Sequence, residues 1–275
     1  MSPTLRFLRL ILLLTSLAAV LSWHTQTILD SQPKPIRLGV SSGAEAEIAY
    51  KIKEIALQED LDIDVRVYGD YLKLNEALAR GELDANAFQP AYYLEAVNRD
   101  LSYNLKPLTE TIFSPLGIYR KQKETEPASF LPAPHSTVLI SQEAKQQSRS
   151  LALLSEASLI TLSSQPGGIW INSGDITANP LELRIIVQSD ESLFLSQSEA
   201  DYLILSPAQA KKHAWQPLPD ALLLEKPNAN FAHVLATRTT NTSTAALQKL
   251  ASFYARPELH AFMAERYKGS WLPMK

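Results

Sequence analysis

The chain of 275 residues contains no cysteine. That absence excludes disulfides, thiolate metal sites and cysteine nucleophiles together, and leaves no thiol for a lipid anchor. Charge of one sign is not in excess either: 26 Lys and Arg face 29 Asp and Glu. The basic residues are scattered, so the electrostatic footprint of a nucleic-acid binder is missing. The five histidines, His24, His135, His213, His233 and His260, are isolated and lack metal-ligand spacing. There is no G-x-S-x-G elbow, P-loop, G-x-G-x-x-G after a strand or H-E-x-x-H, so we expect no enzyme activity, no cofactor and no metal. Asp62 and Asp64 alternate along a strand and read as a solvated face rather than as a paired acid and base.

One apolar run, residues 10–23, follows Arg6 and Arg9. Its 14 residues fall short of the roughly 20 that a spanning helix needs, although Phe7 and Leu8 lengthen it if Arg9 snorkels. Residues 1–24 therefore read as a signal peptide or a signal anchor. Cleavage after Ser22 and retention as a tether both stay open.

Residues 25–35, polar and holding Pro33 and Pro35, read as a linker. Beyond it the pattern alternates between two periods. Residues 36–40 read as a buried strand, residues 44–58 carry Ile48, Ile52, Ile55 and Ala56 at helical spacing, and Ile63, Val65 and Val67 alternate with polar neighbours. Strand, helix, strand, helix, strand marks an α/β lobe with a largely parallel sheet. A strand at 116–120 precedes a charged, proline-bearing stretch (121–136) that suggests a lobe boundary. A second α/β lobe follows, with strands at 137–140, 183–187 and 202–205 and helices at 146–157 and 191–197. Residues 163–180 read as loop, with Pro166-Gly167-Gly168 and Asn172-Ser173-Gly174-Asp175 as turn signals. A strand at 231–237 returns to the first lobe, and residues 243–268 supply closing helices. The length suffices for two cores.

The most specific stretch is Asn75-Glu76-Ala77-Leu78-Ala79-Arg80-Gly81-Glu82-Leu83-Asp84-Ala85-Asn86-Ala87-Phe88-Gln89. Leu74, Ala77 and Leu78 keep helical spacing, Gly81 stops the helix, and 83–88 alternates as a short strand. Phe88 and Gln89 are thereby expected at the carboxyl end of a strand, where open α/β sheets bind ligands. This run resembles the signature of the methionine-binding lipoproteins of ABC importers. Gly43-Ala44-Glu45, Pro115-Leu116-Gly117-Ile118-Tyr119 and Arg149-Ser150-Leu151-Ala152-Leu153-Leu154 extend the likeness across 36–275.

The resemblance implies a two-lobed periplasmic binding protein of the type II clamshell kind with crossing hinge strands, its lobes being 36–115 plus 232–275 and 116–231. It implies that Arg149 holds a ligand carboxylate. A planar guanidinium fork near a helix N-terminus suits that task. It also places Tyr68, Phe88 and Tyr93 as aromatic walls for an apolar or thioether side chain. The departures matter equally. Pro90 stands where the family has a pocket histidine, Ser206 and His233 where it has asparagines, Tyr92 is an added ring, and Val20 replaces the lipidated cysteine. Buried polar groups that change type shift specificity, and Lys145 beside the cleft hints at a more anionic ligand.

The function expected is the solute-binding component of an ABC importer that takes a small amino acid or related carboxylate into an interlobe cleft. Tyr68, Phe88 and Tyr93 would hold the side chain, and Ser206 and His233 the polar end. By the same resemblance the partners are a permease and its ATPase, and the location is the periplasm, with an inner-membrane tether if residues 1–24 are kept. The alternative is a tethered sensor or interaction protein that retains the fold without transport, which the genes beside this one would distinguish.

Overall fold

A computed structural model describes residues 34–120, 131–165, 170–195 and 200–274. The N-terminal run, most of the linker, the turn signal at 166–168 and the end of the helix expected at 191–197 lie outside the described residues.

Strand β1 (Ile36–Ser41) is buried almost end to end. Helix α1 (Ala44–Leu57) lays Ala46, Ile48, Ala49, Ile52 and Ala56 on the core, one face of a 3.6-residue repeat. After β2 (Ile63–Tyr68), the Asp70 carboxylate accepts from the amides of Leu72 and Lys73 and so caps α2 (Tyr71–Ala79). Then come β3 (Ala85–Pro90), α3 (Ala91–Leu101) and β4 (Leu105–Glu110). The chain crosses to a second sheet through the short β5 (Ile112–Phe113) and enters β6 (Gly117–Arg120).

There β7 (Thr137–Ser141) leads to α4 (Ala144–Glu156), capped by the Glu143 side chain. A small ribbon of β8 (Thr161–Leu162) and β9 (Ile176–Ala178) precedes β10 (Arg184–Gln188), α5 (Asp190–Leu195) and β11 (Tyr202–Leu205). Helices α6 (Pro207–Lys212) and α7 (Pro217–Asp220) and strand β12 (Leu223–Leu224) follow. The chain then returns to the first sheet as β13 (His233–Arg238) and closes with α8 (Ala245–Ser252), α9 (Pro257–Tyr267) and β14 (Leu272–Pro273).

The first sheet runs β2-β1-β3-β13-β4 and the second β10-β7-β11-β6-β12. Three adjacent strands of each pair in parallel, as expected for α/β units. The first sheet is largely parallel, as expected, with one reversed strand: the returning β13 runs antiparallel between β3 and β4, because it enters from the opposite end, and β4 runs in the direction of β3. In the second sheet β6 and β12 are likewise antiparallel to their neighbours. Each sheet carries its own apolar core, one built on α1, α8 and α9 against β1, the other on α4 against β7 and β11.

The two sheets are linked at more places than the crossings. β14 pairs antiparallel with the outgoing crossing β5, and the Met274 amide donates to the Thr111 carbonyl at 3.1 Å. The turn after α9 meets α7 of the second sheet, where the Leu218 amide donates to the Lys268 carbonyl at 3.0 Å. Gly269 there has φ of 87°, and a Cβ would come within 3.0 Å of the Leu218 nitrogen, so only glycine suits the approach.

Candidate functional site

The signature stretch folds as its periodicity predicts, but its amide side chains turn inward. Asn75, Asn86 and Gln89 are almost completely buried. Asn75 Nδ2 donates to Gln89 Oε1 at 2.7 Å, and Asn75 Oδ1 accepts from Asn86 Nδ2 at 2.9 Å and from Gln89 Nε2 at 2.8 Å. This amide triad locks α2 onto β3. Phe88 is 3 % exposed, packs in the same core cluster as Leu74, Leu78 and Leu94, and lies with its ring centroid 5.3 Å from that of Tyr71.

Arg149 lies on α4, facing the two crossings. Its Nε donates to Glu225 Oε1 at 3.0 Å, and Nη2 donates to Glu225 Oε2 and, at 2.7 Å, to the Ser114 carbonyl. Glu225 Oε2 also accepts from the Leu116 amide at 3.0 Å, so the carboxylate is fully engaged. The pair is part of the interior, with side chains 12 % and 8 % exposed. The guanidinium carbon lies 5.3 Å from the ring centroid of Phe113 and 4.9 Å from that of Phe231, one ring from each crossing. Cation–π contact and the bidentate carboxylate thus hold one edge of the arginine. No hydrogen bond from Nη1 is found among the described residues.

Arg149 and Glu225 line a cavity of about 680 Å³. Tyr92 from α3 of the first sheet, Trp170 from the second and Phe231 from the returning segment supply its rings, with centroids 6.3 to 6.5 Å apart. Lys145 Nζ, on α4, donates to the Tyr92 hydroxyl at 3.3 Å across the two bodies. Among the described residues Arg149 is the one cation in the lining, which also holds Glu95, Glu110 and Glu156. A second cavity, of about 570 Å³, lies at the far end of the first sheet. Among the described residues it has no aromatic wall, and its Arg37 and Arg66 are paired with Asp84 and Asp64.

The remaining candidates sit elsewhere. Tyr68 ends β2, and His233 begins β13 opposite Pro90, so both stand at one end of the first sheet. His233 Nδ1 lies 3.3 Å from Glu45 Oε1, and its ring meets Trp271 edge-on. Tyr93 occupies the first turn of α3. Ser206 caps α6: its Oγ accepts from the Gln209 amide and donates to Gln209 Oε1, which also takes a bond of 2.6 Å from Gln146. Of the six candidates only Arg149 lines the aromatic cavity. Glu225, Trp170 and Phe231 carry no sequence signal of their own, since the partner of Arg149 lies 76 residues away. Tyr92 was visible only as an extra ring. Among the described residues no cluster of His, Asp and Glu is arranged to hold a metal ion, and no helix is long and apolar enough to cross a membrane.

Two α/β bodies, linked by crossing segments around an arginine-bearing cavity, form the architecture of the two-lobed periplasmic binding proteins. The chain belongs to the NlpA lipoprotein family, whose model matches residues 36–275. It is 27 % identical over 244 residues to the D-methionine-binding lipoprotein MetQ of Salmonella typhimurium, covering 87 % of this chain and 88 % of that one. Among solved structures it resembles a periplasmic substrate-binding protein of an ABC transporter from Coxiella burnetii, at 28 % identity and a TM-score of 0.62 over 87 % of this chain and 100 % of that one. It also resembles a nutrient-binding protein from Burkholderia cenocepacia bound to methionine, at 27 % identity and a TM-score of 0.61, again over 87 % and 100 % of the two chains.

Proposed function

We propose that this chain is the solute-binding component of an ABC importer and captures a small amino acid or related carboxylate between two lobes, 36–115 plus 232–275 and 116–231. The observation that carries the reading is Arg149: a largely buried guanidinium that lines an aromatic cavity and is held through Nε and Nη2. A ligand carboxylate would meet Nη1, and its apolar side chain the rings around the cavity. Tyr68, Phe88 and Tyr93 are proposed as the first-lobe wall, Phe88 acting from within the core. Ser206 and His233 are proposed to face the ligand's polar end. A permease and its ATPase would receive the ligand at the periplasmic face of the membrane.

The relatives named above support the transport class, and the paired Arg149 supports a carboxylate of modest charge. A thermal-shift panel of amino acids and small carboxylates tests the reading. A ligand at a hundred times its Kd stabilises the folded protein by about 2.7 kcal/mol, so a clear rise in midpoint is expected for the wild type and none for Arg149→Ala. Equal stabilisation of both proteins would remove Arg149 from the site.

A further inference from the structure

We infer that Glu225 sets the ligand class of this site: by occupying the Nε–Nη2 edge of Arg149 it leaves Nη1 for the ligand, admitting molecules with one carboxylate and rejecting those with two. The inference rests on the reading of Arg149 as the carboxylate-binding residue.

A free guanidinium offers a two-donor fork that takes a carboxylate side-on. In this molecule that fork is filled from within. Glu225 contacts Nε and Nη2 through both of its oxygens, and its Oε2 is fixed further by the Leu116 amide. The carboxylate is itself buried, so it can neither swing to solvent nor be screened well by it. A ligand carboxylate at Nη1 therefore gains a single-nitrogen contact on a cation that is already neutralised. A second anionic group in the same cavity would meet the Glu225 charge and those of Glu95, Glu110 and Glu156, none of which forms an ion pair among the described residues. Like charges a few ångströms apart in a partly buried site change affinity by roughly tenfold or more. Glu225 also begins the segment that returns to the first sheet and receives the amide of Leu116 from the outgoing one, so it positions Arg149 against both crossings.

The test compares L-methionine, L-glutamine and L-glutamate by calorimetric titration of wild type, Glu225→Gln and Arg149→Ala. Glutamine and glutamate have nearly the same shape and differ by one charge, so their affinity ratio reads charge discrimination and is not moved by a loss of stability. Wild type is expected to prefer glutamine over glutamate by at least roughly tenfold, and Glu225→Gln to narrow that ratio by about tenfold, with Arg149→Ala binding none of the three. Circular dichroism and the thermal midpoint establish first that the variants fold. If Glu225→Gln does not, Glu225→Asp, which withdraws the charge by one methylene, takes its place with a narrowing of about threefold expected. An unchanged ratio alongside lost binding in Arg149→Ala overturns the role of Glu225 and leaves the arginine reading standing. Undiminished binding in Arg149→Ala, or no binding of any probe to wild type and Glu225→Gln, overturns both.

Discussion

Asn75 has no exposed surface and makes three hydrogen bonds with Asn86 and Gln89. Removing its amide leaves buried groups on two neighbours without partners, at about 1–3 kcal/mol each. Asn75→Ala is therefore expected to lower unfolding stability by about 2–5 kcal/mol, read from urea denaturation with an unchanged slope. A loss below about 0.5 kcal/mol, the scale of a neutral surface change, would mean that the triad is replaceable. This residue also marks how far the sequence could be read. Helix, stop and strand at 75–89 were legible, because periodicity reports which positions are apolar. The direction of the polar groups was not. An asparagine that faces a ligand and one that pairs with another asparagine in the core look alike in a sequence, and here the amides pair.

Three strands of the first sheet meet at one carboxylate. Asp84, just before β3, accepts from the Arg37 backbone amide and twice from its guanidinium on β1, while Thr237 on β13 donates to the Asp84 carbonyl. Burial pushes the Asp84 carboxyl up, but the hydrogen bonds and charge of Arg37, with Arg238 beyond, outweigh it and hold the group below its ordinary value of 3.8. A depressed folded value means that the unfolded chain binds the proton more readily, so stability rises with pH across this window. The contribution is complete above the unfolded value and is lost as pH falls through the folded one. Asp84→Asn should lower stability at pH 7 and flatten the acid limb below about pH 4; urea titrations from pH 2 to 7 measure both, and parallel curves would contradict the assignment. At this scale the longer helices and the central strands were legible from their periods, with ends displaced by one or two residues, whereas the short α6 and α7 were not. Nor was the reversal of β13, because the period of two is the same either way. The very short β5, β12 and β14 offer too few residues for any period to register.

At the scale of the molecule, described side chains bridge the two bodies on the cavity side. Tyr92 is central among them, touching Trp170 edge-on and accepting from Lys145. Aromatic contacts of this kind are worth about 0.5–1.5 kcal/mol, so Tyr92→Ala is expected to weaken ligand binding by about 3- to 10-fold. It should also leave the ligand-free protein more open, as a larger radius of gyration in solution scattering. Unchanged affinity and radius would show that the bodies are held without it. The resemblance made Arg149 legible, whereas its clasp by Glu225 needed coordinates, since pairings between distant segments leave no local pattern.

The C-terminal strand is stitched to the outgoing crossing, and the turn before it touches the second body. Strand β14 is therefore part of the connection between the two bodies, and a load applied behind Pro273 bears directly on the outgoing crossing. On the reading of Arg149 proposed above, a fluorophore attached beside β14 is expected to change its signal on ligand binding, and a bulky tag at the same strand to disturb the crossing.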